Sequence, residues 1–136
     1  MTDHLAVHYL SNIYDETYDL LLETRHYMRS RGMREWQERE LKDRVHLTQN
    51  ALQLTSWLGF MMSWLLTQKA MQSGEITRKQ AALPENRLPG GMHFEEYMAG
   101  IGELPHDMQQ LMWRSQKLYK RMSRLDAMFG QLAAAD

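Results

Sequence analysis

The sequence contains no cysteine, which excludes disulfide bonds, thiolate metal sites and a thiol nucleophile. It also lacks an excess of either charge, because 16 lysine and arginine residues balance 17 aspartate and glutamate residues for a formal net charge of -1. A chain with this balance has no overall attraction to nucleic acid or anionic lipid. We therefore expect no nucleic-acid partner.

Long hydrophobic runs are missing as well. The longest apolar stretch, 54–66, is interrupted by polar residues and is shorter than the about 20 residues that a membrane-spanning helix needs. The amino terminus carries an acidic residue where a secretory signal needs basic ones. These features predict a cytoplasmic protein without membrane insertion.

Methionine, in contrast, is abundant, with 12 residues in a chain of 136. Methionine fills irregular cores and also makes adaptable binding surfaces, so both interpretations are open. The length suits one compact domain, and we expect a single helical-bundle domain over 1–136.

Apolar residues recur at helical spacing along almost the whole chain, and no segment alternates as a half-buried strand does. The sequence therefore predicts an all-α protein. Glycines are natural helix stops, and each predicted long helix is followed by one. The predicted helices cover about 11–30, 34–73 and 105–129, followed by Gly32, Gly74 and Gly130.

The third predicted helix has an apolar seam whose spacings alternate between four and three residues, which is typical of helices packed side by side. We expect an antiparallel three-helix bundle with one long central helix. A short helix capped by Thr77 follows the central helix. The segment 84–104 then holds two prolines and four glycines and predicts a loop. This loop could be a mobile partner-binding arm or could pack over the end of the bundle.

The central helix is apolar nearly all round, so it must be covered all round. Two helices of the same chain cover only part of it, and exposed tryptophans would form a large apolar patch. We therefore predict a homodimer. Small residues at intervals of four could admit the backbone of a second copy, or could seat a helix of the same chain. The predicted dimer interface consists of Leu52, Thr55, Trp57, Gly59, Phe60, Ser63 and Trp64.

Two stretches carry a family resemblance. A tryptophan- and leucine-rich helix ending in Gln-Lys-Ala and Gly-Glu-Ile-Thr occupies 55–77 and reads TSWLGFMMSWLLTQKAMQSGEIT. A Ser-x-x-Leu-Tyr-x-Arg core with an Arg-Leu-Asp close occupies 104–129 and reads LPHDMQQLMWRSQKLYKRMSRLDAMF. In this order and spacing the two stretches resemble the bacterial RcdA family, the regulators of CtrA degradation. The resemblance extends over roughly 14–129.

The resemblance implies a dimeric helical bundle in the cytoplasm that can be recruited to a cell pole. It also implies the role of a non-enzymatic adaptor for the ClpXP protease. Such an adaptor joins a response regulator (CpdR) and a cyclic-di-GMP effector (PopA), so that cell-cycle regulators such as CtrA are degraded. The alternative hypothesis is a structural or scaffolding dimeric bundle that is not linked to proteolysis.

The third predicted helix carries a basic side opposite its seam, with one tryptophan among the cations. Exposed tryptophans often dominate protein interfaces, and the charges could select an acidic partner. Alternatively, the side is solvated and the stem of Lys117 covers Trp113, partly through a cation-π contact. The predicted partner-binding surface consists of Trp113, Arg114, Lys117, Lys120, Arg121 and Arg124.

Two Glu-x-x-His pairs, Glu23 with His26 and Glu103 with His106, suggest a di-iron bundle, in which two such motifs hold metal. The pattern does not fit, because the first pair lies off the apolar seam and the second spans a helix start. No serine has a recognisable base and orienting acid. We therefore expect neither an enzyme nor a metal or other cofactor.

Overall fold

The computed structural model describes residues 2–90, 92 and 94–135. In this part of the chain the secondary structure is helical and contains no strand, which confirms the predicted all-α class. The α-helices are α1 (Thr2–Tyr27), α2 (Met33–Gln37), α3 (Leu41–Gln72), α4 (Arg78–Ala81), α5 (Phe94–Ala99) and α6 (His106–Ala135).

The three long helices, α1, α3 and α6, contact one another in pairs and enclose the core. Apolar side chains repeat along one face of each helix, as burial of a helical stripe requires. Methionine contributes to this core, which supports the core-filling interpretation for five of its residues. The buried methionines are Met61, Met92, Met108, Met112 and Met122.

The chain does not stop being helical at Gly32, where the sequence predicts a helix end. A π-helical turn, Met28–Gly32, joins α1 directly to α2. Gly32 has helical dihedral angles and is buried against Tyr27, whose carbonyl oxygen would lie 3.0 Å from a Cβ atom at this position. The glycine therefore permits a close approach, and the prediction of a stop was wrong.

The predicted continuous helix over 34–73 is divided in two. The chain leaves helical geometry between α2 and α3, and Glu40 is extended, with ψ at 155°. This break falls in the charged first third of the segment, where few apolar side chains bind the helix to the core. At the other end Gly74 has a φ of 83°, which confirms the predicted stop.

Two further expectations concern the ends of the remaining helices. The short helix α4 is capped by Thr77, as the sequence predicts. The structure adds a capping box, in which Thr77 and Gln80 bond each other's backbone N–H groups. The predicted end of the third helix near Gly130 was wrong, because α6 continues to Ala135. A Cβ atom at Gly130 would lie 2.7 Å from Nη1 of Arg87, so this glycine makes room for the arginine side chain.

The segment 84–104 packs against the long helices and is not an open arm. It contains α5 and two 3-10 turns, Pro84–Asn86 and Ile101–Glu103. The ring of Phe94 lies 4.0 Å from Trp57 and 5.1 Å from Tyr119, measured between centroids. Two residues of the predicted loop, Gly91 and His93, lie outside the described residues.

Asp126 joins this segment to α3 and α6. Its Oδ1 atom accepts a hydrogen bond from Nε1 of Trp64 at 3.0 Å and from Nε of Arg87 at 2.8 Å. The backbone N–H of Leu88 approaches the same oxygen at 3.5 Å. The bond to Asp126 also raises the pKa of the Arg87 guanidinium, which favours its charged form. One carboxylate on α6 thus holds both α3 and the chain that follows α4.

We expect Asp126→Ala to lower the free energy of unfolding by about 2 to 4 kcal/mol. The substitution removes the carboxylate that accepts from Nε of Arg87 and from Nε1 of Trp64, and leaves Arg87 only its bond to the backbone carbonyl of residue 126. Urea denaturation measures this change. The control Asp43→Ala removes an exposed acid and should shift stability by less than about 0.5 kcal/mol. Equal unfolding midpoints for the two variants would contradict the role of Asp126.

Candidate protein-binding surfaces

Some residues of the predicted dimer interface are buried in the core, and the others are exposed. Trp57 and Trp64 are 0% and 2% exposed, so assigning them to an exposed interface was wrong. Trp57 is covered by Phe94 and by the edge-on ring of Tyr97, 5.1 Å away. Trp64 stacks on Phe129 at 6.3 Å and bonds Asp126. Trp64 is thus covered from α6, and Trp57 is covered by the folded segment 84–104, which a pattern of three helices does not include.

The other members of the predicted interface are exposed on one side of α3. Leu52 and Phe60 are 64% and 51% exposed, and Leu66 extends the same side. A Cβ atom at Gly59 would meet nothing within 4 Å. The small residues therefore do not seat a helix of the same chain, and that alternative was wrong. The outer face of α3 consists of Leu52, Thr55, Gly59, Phe60, Ser63 and Leu66.

Two cations of the predicted basic surface form ion pairs with acids of α1. Arg114 pairs with Glu23, and Arg121 pairs with Glu16 at 2.7 Å, so both connect α6 to α1. The pKa of Arg121 is raised, first by a hydrogen bond with Tyr9 and then by Glu16, and the guanidinium stays charged. These two arginines are paired with acids of α1, and both pairs lie at the solvent-exposed surface.

The remaining residues form an exposed stripe on α6. We call Trp113, Lys117, Lys120 and Arg124 the Trp113 stripe; their spacings of four, three and four place them on one side of the helix. Trp113 is 44% exposed, and within the described chain no cation lies over its ring. The cation-π contact of the alternative is therefore absent from the described residues, whereas a solvated side with the stem of Lys117 beside Trp113 stays an open alternative. The stripe pairs one accessible aromatic ring with three cations.

The first Glu-x-x-His pair lines a cleft between α1 and α6, where Glu23 is paired with Arg114. In the same cleft Arg31 pairs with Asp107 at 2.9 Å. Among the described residues no three His, Asp or Glu side chains are grouped so that they could hold a metal ion. In the same residues no helix is long and apolar enough to span a membrane.

The architecture therefore defines a small all-α protein, and its exposed helix surfaces include the outer face of α3 and the Trp113 stripe. The family described as "Protein of unknown function (DUF1465)" matches residues 1–136, and the chain belongs to this family. The crystal structure of RcdA from Caulobacter crescentus CB15 is similar, with a TM-score of 0.64 and 22% sequence identity. The match covers 88% of this chain and 89% of that chain.

No curated protein matches the chain. The similarity to RcdA shows that the two proteins share a fold. Together with the family match, it confirms the RcdA-like family that the two sequence stretches indicate.

Acrylamide quenching of tryptophan fluorescence should distinguish the two kinds of tryptophan in this fold. We expect Trp113→Phe to remove the largest part of the quenchable emission, because Trp113 is the only exposed one of the four tryptophans, all of which are described. Trp36 is partly buried, and Trp57 and Trp64 are buried. Trp57→Phe serves as the control and should leave the quenchable part unchanged. If Trp113→Phe were quenched as steeply as the unmodified protein, Trp113 would be buried and the stripe would have no exposed aromatic ring.

Proposed function

We propose that this chain is a non-enzymatic adaptor that helps deliver cell-cycle regulators of the CtrA type to the ClpXP protease. The observation that carries the proposal is the fold shared with RcdA over 88% of this chain. The proposed partners are ClpXP together with proteins of the CpdR and PopA type. An adaptor needs surfaces for at least two other chains, and the outer face of α3 and the Trp113 stripe are both exposed.

We further propose that the long helices form an antiparallel three-helix bundle and that the outer face of α3 pairs with the same face of a second copy. Exposed Leu52, Phe60 and Leu66 form an apolar strip that association would remove from water. Gly59 lies in the middle of the strip with open space around it, so the backbone of another helix can approach closely. A face that contacts itself is the rule in twofold dimers.

Phe60→Glu should convert the dimer to a monomer, because it places a charge in an apolar contact that association would desolvate. Sedimentation equilibrium measures the change. The matched control is Met128→Glu, which alters an equally exposed side chain on α6 and should leave the dimer intact. An unmodified protein that sediments as a monomer at high concentration would contradict the proposed dimer.

Gly59→Ala distinguishes an outer face of α3 that stays in water from one that packs against a second copy. If the face stays in water, alanine should stabilise α3 by about 1 kcal/mol, since nothing lies near the added methyl group. If a second backbone packs there, the methyl group should weaken association instead. We expect the second result, a higher dimer dissociation constant measured by dilution calorimetry. Stabilisation without any change in association would contradict close packing at Gly59.

The Trp113 stripe is the proposed surface for the protease machinery or its cargo. A half-exposed tryptophan provides apolar contact area, and the three cations around it favour an acidic partner. None of the four side chains of the stripe is acidic. Lys117 shares a cleft with Glu16 and Asp19 of α1, so the cations farther from these acids, Lys120 and Arg124, are the ones that favour an acidic partner most.

We expect the purified protein to be retained on a column of ClpXP primed with CpdR, and to increase the rate at which a CtrA-type cargo is degraded. Trp113→Ala combined with Lys117→Glu should weaken retention about tenfold, equivalent to about 1.4 kcal/mol. The control Lys79→Glu makes the same charge change at an exposed site on α4 and should be retained normally.

Absence of retention for the unmodified protein would contradict the adaptor function. Retention with no change in cargo degradation would favour the structural or scaffolding alternative. Equal retention of the double variant and of Lys79→Glu would show that the Trp113 stripe is not the contact surface.

A further inference from the structure

Phe94 of α5 occupies a slot between α3 and α6 that has an aromatic ring on each side. The centroid of its ring lies 4.0 Å from that of Trp57 on α3 and 5.1 Å from that of Tyr119 on α6. Phe94 is 5% exposed, and Trp57 is fully buried. Contacts between aromatic rings stabilise such a cluster beyond the apolar area that it buries. The space between Trp57 and Tyr119, which we call the aromatic slot, is thus filled by a side chain of the same chain.

The helix α5 depends on this one side chain for most of its burial. Phe94 is the buried residue of α5, whereas the other residues of the helix are exposed or partly exposed. Tyr97 adds the edge of its ring against Trp57 and a hydrogen bond from its hydroxyl to Oε1 of Gln53, at 3.2 Å. A helix of six residues is not stable by itself in water. We therefore expect α5 to lose its structure whenever Phe94 leaves the slot.

Glycines lie on both sides of α5 where the fold does not require them. Gly90 precedes the helix, and Gly100 follows it. Neither has a positive φ, and a Cβ atom at either position would meet nothing within 4 Å. A residue with a side chain would fit at both positions and would lose less conformational entropy on folding. The two glycines therefore favour a state in which α5 leaves the slot.

The chain is held in place just outside this region. On the amino side, the Tyr119 hydroxyl donates a hydrogen bond to the carbonyl oxygen of Pro89 at 2.8 Å. On the carboxyl side, Leu104 is 4% exposed, and its carbonyl oxygen accepts a hydrogen bond from Nε2 of Gln109 at 2.8 Å. These fixed points confine an opening to the chain between them and keep α5 close to its slot.

We propose that α5 is an autoinhibitory latch, which opens between its flanking glycines and vacates the aromatic slot for an aromatic side chain of a partner protein. Opening also frees the Gln53 oxygen that Tyr97 bonds in the closed state. A partner segment therefore matches the site if it repeats the pattern of α5, an aromatic residue followed three positions later by a hydrogen-bond donor. The open state is a minor one, so Trp57 stays covered for most of the time. The proposal deepens the adaptor function and rests on it for the identity of the partner as a protein.

Native-state hydrogen exchange of the unmodified protein tests whether the latch opens by itself. After correction for intrinsic rates, backbone amides of α5 should exchange about tenfold or more faster than those of the buried part of α3, because the opening leaves the long helices folded. Low concentrations of urea should not change the rate at α5, since a local opening exposes little new surface. Exchange at α5 with the rate and the urea dependence of α3 would overturn the proposal.

The double variant Gly90→Ala with Gly100→Ala tests the role of the glycines. Alanine restricts the open state more than the closed one, so exchange at α5 should become slower by about fivefold or more. The control Gly59→Ala changes a glycine on α3 that also has open space around it, and it should leave exchange at α5 unchanged. Unchanged exchange in the double variant, or an equal slowing in the control, would overturn the proposal.

A fluorescein-labelled peptide with the sequence of residues 92–104 serves as the probe for the slot. Fluorescence anisotropy compares its binding to the unmodified protein, in which α5 competes, and to Phe94→Ala, in which the slot lacks its side chain. A closed latch lowers the apparent affinity by the fraction of open protein, so we expect the variant to bind at least about tenfold more tightly. Tyr97→Ala keeps Phe94 but weakens the docking of α5, and it should bind with intermediate affinity.

The matched control is the same peptide with Phe94→Ala, which should bind none of the proteins. Far-ultraviolet circular dichroism verifies that the two protein variants stay helical. If Phe94→Ala does not fold, the comparison of Tyr97→Ala with the unmodified protein decides. Equal affinity of the unmodified protein and the folded variants, equal binding of the two peptides, or no binding at all would overturn the proposal.

The α5 helix of a second copy is the competing occupant of the slot. Exchange at α5 that does not vary with protein concentration supports the proposal. Exchange that becomes slower at high concentration would show that a second copy fills the slot, and would overturn it. These measurements use the purified chain without protease, so failure of ClpXP retention with intact peptide binding would overturn the adaptor function alone.

Discussion

The need to cover α3 governs the organisation of this protein. The helix is apolar around most of its circumference, and each apolar side chain left in water would forfeit about 1.5 to 3 kcal/mol of transfer free energy. Residues such as Leu47, Leu54 and Leu58 are covered within the core formed by the long helices. Trp57 and Trp64 lie on another side and need further cover. The chain supplies it by folding the segment 84–104 against α3 and fastening that segment through Asp126.

This arrangement explains why the exposed faces are where they are. Cover from α1, α6 and the segment 84–104 leaves one strip of α3 bare, and Gly59 and Ser63 lie within it. On α6, Arg114 and Arg121 form ion pairs with Glu23 and Glu16 of α1, whereas Trp113 is exposed among the remaining cations. A groove lined mainly by polar side chains forms where α5 lies beside the first half of α3. All three surfaces follow from how α3 and α6 are packed.

Structural features that depend on neighbouring residues could be predicted from the sequence, and features that depend on contacts between distant residues could not. The all-helical class and the capping box at Thr77 depend on periodicity or on neighbouring residues, so a single sequence contains them. Gly74 was correctly interpreted as a stop, but Gly32 and Gly130 were not. Gly32 makes room for Tyr27, and Gly130 makes room for Arg87. In a sequence, a glycine needed for close packing cannot be distinguished from one that ends a helix.

The tryptophans of α3 show the same limit. Helical periodicity grouped Trp57 and Trp64 with Phe60, which is exposed, whereas the two tryptophans belong to the core. They contact Phe94 and Asp126, and Asp126 is 62 positions beyond Trp64. The apolar residues of the segment 84–104 were the available signal that this loop packs. In the basic surface, Arg114 and Arg121 are seven residues apart, as are Glu16 and Glu23, and this matched spacing indicated pairing between helices. The amides at 49, 50 and 53 gave no signal that distinguishes a groove from a solvated side.

The central claim is that the chain itself covers one side of α3 and a second copy covers another. Hydroxyl-radical footprinting of the unmodified protein, over a series of concentrations that crosses the dimer dissociation constant, tests both parts at once. The account predicts that Leu52, Phe60 and Leu66 are oxidised readily in dilute protein and protected in concentrated protein, while Trp57 and Trp64 are protected throughout. Oxidation of the two tryptophans on dilution, or oxidation of Phe60 that does not depend on concentration, would contradict it.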